Sequence, residues 1–285
     1  MQLSVSSYSF AQYIAAGKMT LFDAIEKASA LGFPAIEFTD LPGEGQNERL
    51  ALAKRLKEFA GSLGVAISAY SVGGCLYNGD AEKDETEVKR LCDQVDIAAA
   101  LGASVMRHDV VYTLGKVGAA RSFDLMLPTI AANARKITEY AACRGIRTCT
   151  ENHGYIAQDS DRLERLFCAV GHDNYGLLVD VGNFVCVDED NANAVSRLAP
   201  YAIYVHMKDM HISDEPGDGY IPTRGGRFFK GAVLGEGQVD IPRCLRILKQ
   251  AGYDGYLSLE FEGSEDCIDG ISRGKAFLDA LLETL

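Results

Sequence analysis

Four side chains that bind or move charge stand at the ends of short β-like runs, three of them apolar. Glu151 closes Arg-Thr-Cys-Thr-Glu, Asp180 closes Gly-Leu-Leu-Val-Asp, His206 closes Ala-Ile-Tyr-Val-His and Glu260 closes Tyr-Leu-Ser-Leu-Glu. If these runs are β-strands, a period of two sorts their faces. Leu177 and Val179 face one way and Asp180 the other; Val205 and Met207 oppose His206 and Lys208; Leu257, Leu259 and Phe261 oppose Tyr256, Ser258 and Glu260. Cys149 and Glu151 share a face. Three carboxylates and an imidazole gathered on one face would repel one another and lose hydration. One divalent cation resolves both costs. Oxygen donors with a single nitrogen suit Mn²⁺, Mg²⁺ or Co²⁺, and Zn²⁺ is admissible. Each residue taken singly also fits a plain strand cap or an ion pair with Lys208 or Arg107.

A cation favouring about six ligands keeps two positions for a hydroxy-carbonyl fragment of a sugar. Isomerising or epimerising such a compound means removing a proton next to a carbonyl. A cation polarises that carbonyl and stabilises the enediolate, and a carboxylate on either face can take and return the proton. Glu151 and Glu260 are therefore the candidate acid/base pair. Lys208 either stabilises the oxyanion or pairs with Asp180 or Glu262. His108 and His153 are candidates for holding substrate hydroxyls or for structural roles, and Asn183, three residues beyond Asp180, joins the substrate-binding set. Tyr8 and Phe10 either wall the pocket or pack in the core. Arg227, with Arg224 and Lys230 between glycines, suits phosphate or carboxylate recognition or a solvated loop. No Gly-x-Gly-x-x-Gly or P-loop sequence occurs, so nucleotide binding lacks support.

The elements that must position these residues alternate. β-like runs cover 3–9, 35–39, 66–71, 104–109, 147–152, 176–181, 202–209 and 255–261. Helical patterns cover 20–32, 47–63, 84–101, 121–144, 159–170, 189–198, 241–251 and 270–284. Eight strand–helix units predict an α/β fold, a (β/α)8 TIM barrel, with its active site at the C-terminal strand ends; a doubly wound open sheet is the alternative. Gly32, Gly64, Gly102 and Gly252 read as helix ends. No linker or composition shift divides the chain, so 1–285 reads as one barrel domain, and 285 residues suit a fold that commonly reaches about 250. The span His211–Asp240 reads as one long irregular loop.

Composition narrows the function classes. The 28 basic and 40 acidic residues give a net charge of −12, which disfavours nucleic-acid binding. No apolar stretch of about 18 residues predicts a membrane span. The first residues lack the basic and apolar regions of a signal peptide. The 8 cysteines include no Cys-x-x-Cys pair and read as reduced thiols, so a cytoplasmic enzyme with a small-molecule substrate, monomeric or homo-oligomeric, is expected.

The ordered motifs resemble a known family. Val-Asp180-Val-Gly-Asn183, Val-His206-Met-Lys208-Asp209, Gly235-Glu-Gly-Gln-Val-Asp240 and Leu-Ser-Leu-Glu260-Phe-Glu-Gly are similar to those of the sugar phosphate isomerase/epimerase superfamily, the xylose-isomerase-like TIM barrels. The resemblance spans the chain and is best over its second half. It implies a metal held by Glu151, Asp180, His206 and Glu260, with the two glutamates moving protons as in the ketose 3-epimerase branch. That branch has a histidine where Asn183 stands and a glutamate where Ala157 stands. The superfamily also holds hydroxypyruvate isomerases and inosose dehydratases. A divalent-metal-dependent sugar isomerase or epimerase is the expected function. The alternatives are a keto-inositol or polyol dehydratase, an apurinic-site endonuclease, which the charge and the 5 histidines oppose, and a sugar-binding barrel without turnover.

Overall fold

The computed structural model describes residues 1–111 and 122–285. Eight parallel strands close a barrel: β1 (Gln2–Ser6), β2 (Ala35–Thr39), β3 (Ala66–Val72), β4 (Val105–His108), β5 (Arg147–Glu151), β6 (Tyr175–Asp180), β7 (Ala202–Met207) and, later in the chain, β11 (Tyr256–Leu259). β11 lies between β7 and β1, which shuts the ring and removes any sheet edge. The open-sheet alternative is thereby excluded. The helices on the outside are α1 (Ala11–Ala15), α2 (Leu21–Ala30), α3 (Gln46–Ser62), α4 (Ala81–Leu101), α5 (Phe123–Ala142), α6 (Ser160–Val170), α7 (Asn191–Leu198), α8 (Ile241–Gln250) and α9 (Cys267–Glu283). Residue 121, the start expected for the fourth helix, lies outside the described residues. Among the described residues no helix is long and apolar enough to cross a membrane.

The period of two divides the apolar residues into two cores. Outward side chains such as Ile36, Met106, Val179, Val205 and Leu257 pack beneath the helices. Inward ones, Ala69, Val105, Cys149, Leu178 and Tyr204, plug the barrel interior. Beside that plug, Ser4, Ser68 and the Tyr204 hydroxyl form a chain with 2.7 Å links, so the polar groups buried there are satisfied. The four helix-closing glycines, Gly32, Gly64, Gly102 and Gly252, have φ of 79°, 70°, 79° and 84°, the left-handed region that only glycine enters without strain.

Two boundaries differ from the sequence expectation. The first strand stops at Ser6, and Ser7–Phe10 turn into a 3-10 helix. The span read as an irregular loop is instead a three-stranded antiparallel sheet of β8 (Asp209–Ser213), β9 (Ile221–Pro222) and β10 (Phe228–Ala232). Its turn, Arg224-Gly-Gly-Arg227, carries a φ of 99° at Gly226, a hairpin signal hidden among glycines. Asp209 ties this sheet to the barrel. Its carboxylate accepts from the backbone N–H groups of Gly235, Gly237, Val239 and Met210 at 2.8–3.0 Å. A Cβ on Gly237 would stand 2.1 Å from the Asp209 oxygen, so glycine in Gly-Glu-Gly-Gln-Val-Asp permits that approach.

Candidate active site

Glu151 and Asp180 end β5 and β6, His206 lies on β7 and Glu260 follows β11. All four are buried, and one donor atom from each falls within 4.8 Å of the others. His206 Nδ1 is 3.4 Å from Glu260, 3.6 Å from Glu151 and 4.0 Å from Asp180. Ligands about 2.1 Å from an octahedral cation stand roughly 3 to 4.2 Å apart, the same range.

The aim of each donor is fixed by its neighbours. Asp180 Oδ1 accepts from the N–H groups of Gly182 and Asn183 at 2.7 and 3.1 Å. The Asn152 amide pairs with the Asp180 N–H and C=O, both at 2.8 Å. Asp180 Oδ2 is buried, faces the cluster and has the Lys208 ammonium 3.0 Å away as its ion-pair partner. A Cβ on Gly182 would stand 2.7 Å from the Lys208 carbonyl, so the turn that presents Asp180 needs glycine. His206 Nε2 lies 2.9 and 3.0 Å from the two Glu37 oxygens. The carboxylate only accepts, so Nε2 carries a proton, and on losing the proton from Nδ1 the ring would turn a lone pair to the cluster. Nδ1 is buried and makes no hydrogen bond. A buried imidazole nitrogen without a hydrogen bond, facing three carboxylates, forms a donor set that fits a divalent cation.

Glu37, on β2, is fully buried and also accepts from Ser71 and Ser258. Arg107, on β4, reaches Glu151 Oε2 at 2.6 Å, Asp109 at 2.8 Å and the Val72 carbonyl at 3.2 Å. The amide of Asn183 donates to Glu151 Oε1 at 2.8 Å. Lys208 lies 2.6 Å from Glu260, 3.0 Å from Asp180 and 3.2 Å from Glu262. The convergence on one point and the ion pairs with Arg107 and Lys208 thus coexist.

These contacts set the protonation states. Burial opposes ionisation of Glu151, but Arg107 and then His206 outweigh it and hold the carboxyl well below its ordinary value. Glu260 is lowered in the same contest, by Lys208 and His206. At Asp180 burial prevails over Lys208 and pushes the carboxyl up to about 6. Burial disfavours a charged His206, yet Glu37, Glu260 and Glu151 together raise it well above the ordinary imidazole value. The same balance of burial against Asp180 and Glu260 raises Lys208.

Glu151, His206 and Glu260 floor a cleft of about 380 Å³ whose wall includes Tyr8, Thr39, Asp40, Ser71, Gly73, Asp109 and His153. His153 Nδ1 is 3.0 Å from Asp109. That contact raises its pKa against the opposing effect of burial. Of the residues expected to meet substrate, Tyr8, His153 and Lys208 line the cleft, and Asn183 braces Glu151 from behind. Phe10 is fully buried in the core. His108 is not brought to the cleft: β4 presents Arg107 inward and His108 outward, fully buried, with Nδ1 3.0 Å from the Asp109 carbonyl. Burial lowers its pKa. Nor is Arg227, which sits on the hairpin with Nε 2.7 Å from the exposed Asp214; Arg224 is taken by Asp159 at 2.8 Å. Sequence reasoning missed Glu37 and Asp109. The signal for Glu37 was present, since Ile36 and Phe38 bracket it on an apolar strand and force it inward.

The family model described as xylose isomerase-like TIM barrel matches residues 25–281. The rhizopine catabolism protein MocC of Rhizobium meliloti is 28% identical over 244 residues, 79% of this chain and 70% of that protein. An inosose dehydratase of Clostridium perfringens is 25% identical over 138 residues. That match takes in 47% of this chain and 46% of the dehydratase, so the chain spans about half the length of this relative. The solved structure of an L-ribulose 3-epimerase superposes with a TM-score of 0.76 at 20% identity, covering 100% of this chain and 95% of that one.

Proposed function

The chain belongs to the xylose isomerase-like TIM barrel family, and on that footing we propose that it is a divalent-metal-dependent isomerase or epimerase of a sugar or sugar-like hydroxy-carbonyl compound. One observation carries the reading: donor atoms of Glu151, Asp180, His206 and Glu260 converge within 4.8 Å of one another at the base of a cleft, with His206 Nδ1 buried and without a hydrogen bond. Glu151, Asp180, His206 and Glu260 would hold Mn²⁺, Mg²⁺ or Co²⁺, with Zn²⁺ admissible. The cation would polarise the substrate carbonyl and acidify the neighbouring C–H.

The rest falls to the chain's own groups. Glu151 and Glu260 are ionised, so each can accept a proton from the substrate carbon and return it. Arg107 and Asn183 fix the plane of the Glu151 carboxylate. Lys208, fully charged beside Glu260, stabilises negative charge as it grows on the substrate oxygen. His153, held by Asp109, donates to a hydroxyl further along the substrate, and Tyr8 covers it from the side.

A keto-inositol or polyol dehydratase is the second reading. It is favoured by the likeness to inosose dehydratases and by the His153–Asp109 pair, which can supply a proton to a departing hydroxyl. Both readings begin with proton loss next to a carbonyl, so product mass separates them. Chelator-treated protein reloaded with single metals should be offered ketoses, inososes and hydroxypyruvate in deuterated water. Metal-dependent incorporation of one deuteron with no loss of water supports the isomerase or epimerase. A product lighter by water supports the dehydratase. Metal-independent activity, or no uptake of metal, would refute both.

A further inference from the structure

The cleft has a charge balance that its proposed reaction does not demand. Its wall carries the carboxylates Asp40, Asp109, Glu151, Glu260 and Glu262, and Asp180 stands just behind them. Among the described residues the lining ammonium and guanidinium groups are those of Lys208 and Arg107. Both are already ion-paired deep in the cleft, away from its rim: Arg107 with Glu151 and Asp109 at 2.6 and 2.8 Å, Lys208 with Glu260 and Asp180 at 2.6 and 3.0 Å and, toward the rim, with Glu262 at 3.2 Å. Even with the two charges of a divalent cation added, the cleft keeps an excess of negative charge.

A phosphate ester brings a further charge of about −1.5 to −2 and requires donors directed at it, typically a forked guanidinium. The basic hairpin does not supply them. Arg224 is bound to Asp159, Arg227 to Asp214, and Lys230 lies over the Tyr220 ring at 4.9 Å. At the rim, where the far end of a substrate anchored at the quartet must lie, stand Asp40 and Glu262. Asp40 is exposed and accepts only a long 3.4 Å bond from the Gly73 N–H; Glu262 keeps 30% of its side chain exposed. Ionised carboxylates accept strong hydrogen bonds from hydroxyls and repel phosphate.

We propose that the cleft selects an uncharged polyhydroxy compound over its phosphate monoester, with Asp40 and Glu262 as the residues that set this selectivity. The inference rests on the reading that the reacting end of the substrate sits at the quartet, but its test does not need turnover. Calorimetry on the metal-loaded protein would compare a pentitol with the pentitol phosphate ester, and with inorganic phosphate as competitor. The pentitol should bind at least tenfold more tightly, and phosphate should not displace it. Asp40→Asn combined with Glu262→Gln should narrow the gap to within threefold by tightening the ester. Both residues are at the exposed rim, and melting temperature checks that the variant folds. An ester that binds as tightly as the pentitol, a gap unchanged in the double variant, or binding of neither compound would overturn the proposal. Selective pentitol binding by a protein that turns over no ketose would leave the selectivity standing and remove the catalytic reading. Turnover of a tighter-binding ketose phosphate would do the reverse.

Discussion

The two halves of the barrel contribute to the cleft in different ways. β5, β6, β7 and β11 carry the donors Glu151, Asp180, His206 and Glu260. β2, β3 and β4 carry braces: Glu37 on His206, Ser71 on Glu37, Arg107 on Glu151. Closure of the ring is what lets them meet, since Glu37 and His206 are 169 residues apart in sequence yet hydrogen-bonded. The comparison teaches that the donor half supplies the chemistry and orients Asp180 and Glu260 from within, through Asn152, the Gly182 and Asn183 N–H groups and Lys208, while the bracing half sets the tautomer of His206 and helps to orient Glu151. If that division is right, substitutions in the two halves should fail differently.

The largest effect is expected in the donor half. Glutamine keeps the shape of glutamate and one oxygen for a metal but removes the basicity. Glu151→Gln and Glu260→Gln should each lower turnover by about 10²–10⁴-fold, with a smaller loss of metal. Asp180→Asn should act mainly through lost metal. Turnover, metal content and exchange of the substrate hydrogen with deuterated water report these separately. Near-wild-type turnover in both glutamine variants, without solvent exchange, would refute the proton-transfer roles and point to a hydride shift.

A brace should cost less and cost it elsewhere. Removing an orienting partner of a ligating histidine typically lowers metal affinity or activity by about 10–100-fold. Glu37→Gln should therefore weaken metal binding within that range, measured by competition with a chromophoric chelator, and leave kcat of the saturated enzyme closer to wild type. The amide can present its nitrogen to Nε2 and thereby favour the other tautomer, with the proton on Nδ1. Unchanged metal affinity would mean that the two halves are independent and that Glu37 merely fills space.

A milder perturbation is pH. Burial pushes Asp180 up to about 6, and the carboxylates around His206 raise its pKa, although burial opposes that. The metal-free cluster therefore holds protons that a cation must displace. Metal affinity should rise with pH, fall as pH drops through about 6, and change by up to about tenfold per unit for each proton displaced. Proton release on metal addition in weak buffer checks the sign directly. Uptake of protons, or an affinity flat across this range, would show that the cation does not sit on these atoms.

The same contrast explains what was legible in the sequence. Asp180, His206 and Glu260 each close an apolar run in a motif dense with polar residues, and a period of two assigns the face without reference to the rest of the chain; Glu151 closes the less apolar Arg-Thr-Cys-Thr and shares its face with Cys149. The braces leave no such cluster. Glu37 is one acid within Ala-Ile-Glu-Phe-Thr, and its worth appears only when β2 lies across the barrel from β7. A period of two over Val105-Met-Arg-His108 turns His108 outward and Arg107 inward, so nearness to a strand end alone does not bring a side chain to the cleft. The span 211–240 failed for another reason. Its strands pair antiparallel with each other rather than in the barrel, and Asp209, which anchors them, reads in the sequence as one more polar residue after Lys208.

The smallest effect, and the sharpest test of where the comparison stops, is Arg227→Ala. Sequence reasoning offered Arg227 as an anion ligand for substrate. On β10's turn it pairs instead with Asp214, whose side chain is 80% exposed, while its own is 49% exposed. Exposed pairs of this kind contribute about 0–1 kcal/mol, because solvent screens the attraction and two long side chains lose freedom to make it. Neither donor nor brace touches the pair. The substitution should leave kcat/KM within about twofold, metal affinity unchanged and melting temperature within about 2 °C. A tenfold fall in kcat/KM with intact metal binding would instead place the hairpin over the mouth during turnover. It would add a third contributing region to the two halves and restore an anionic group to the list of things the substrate can carry.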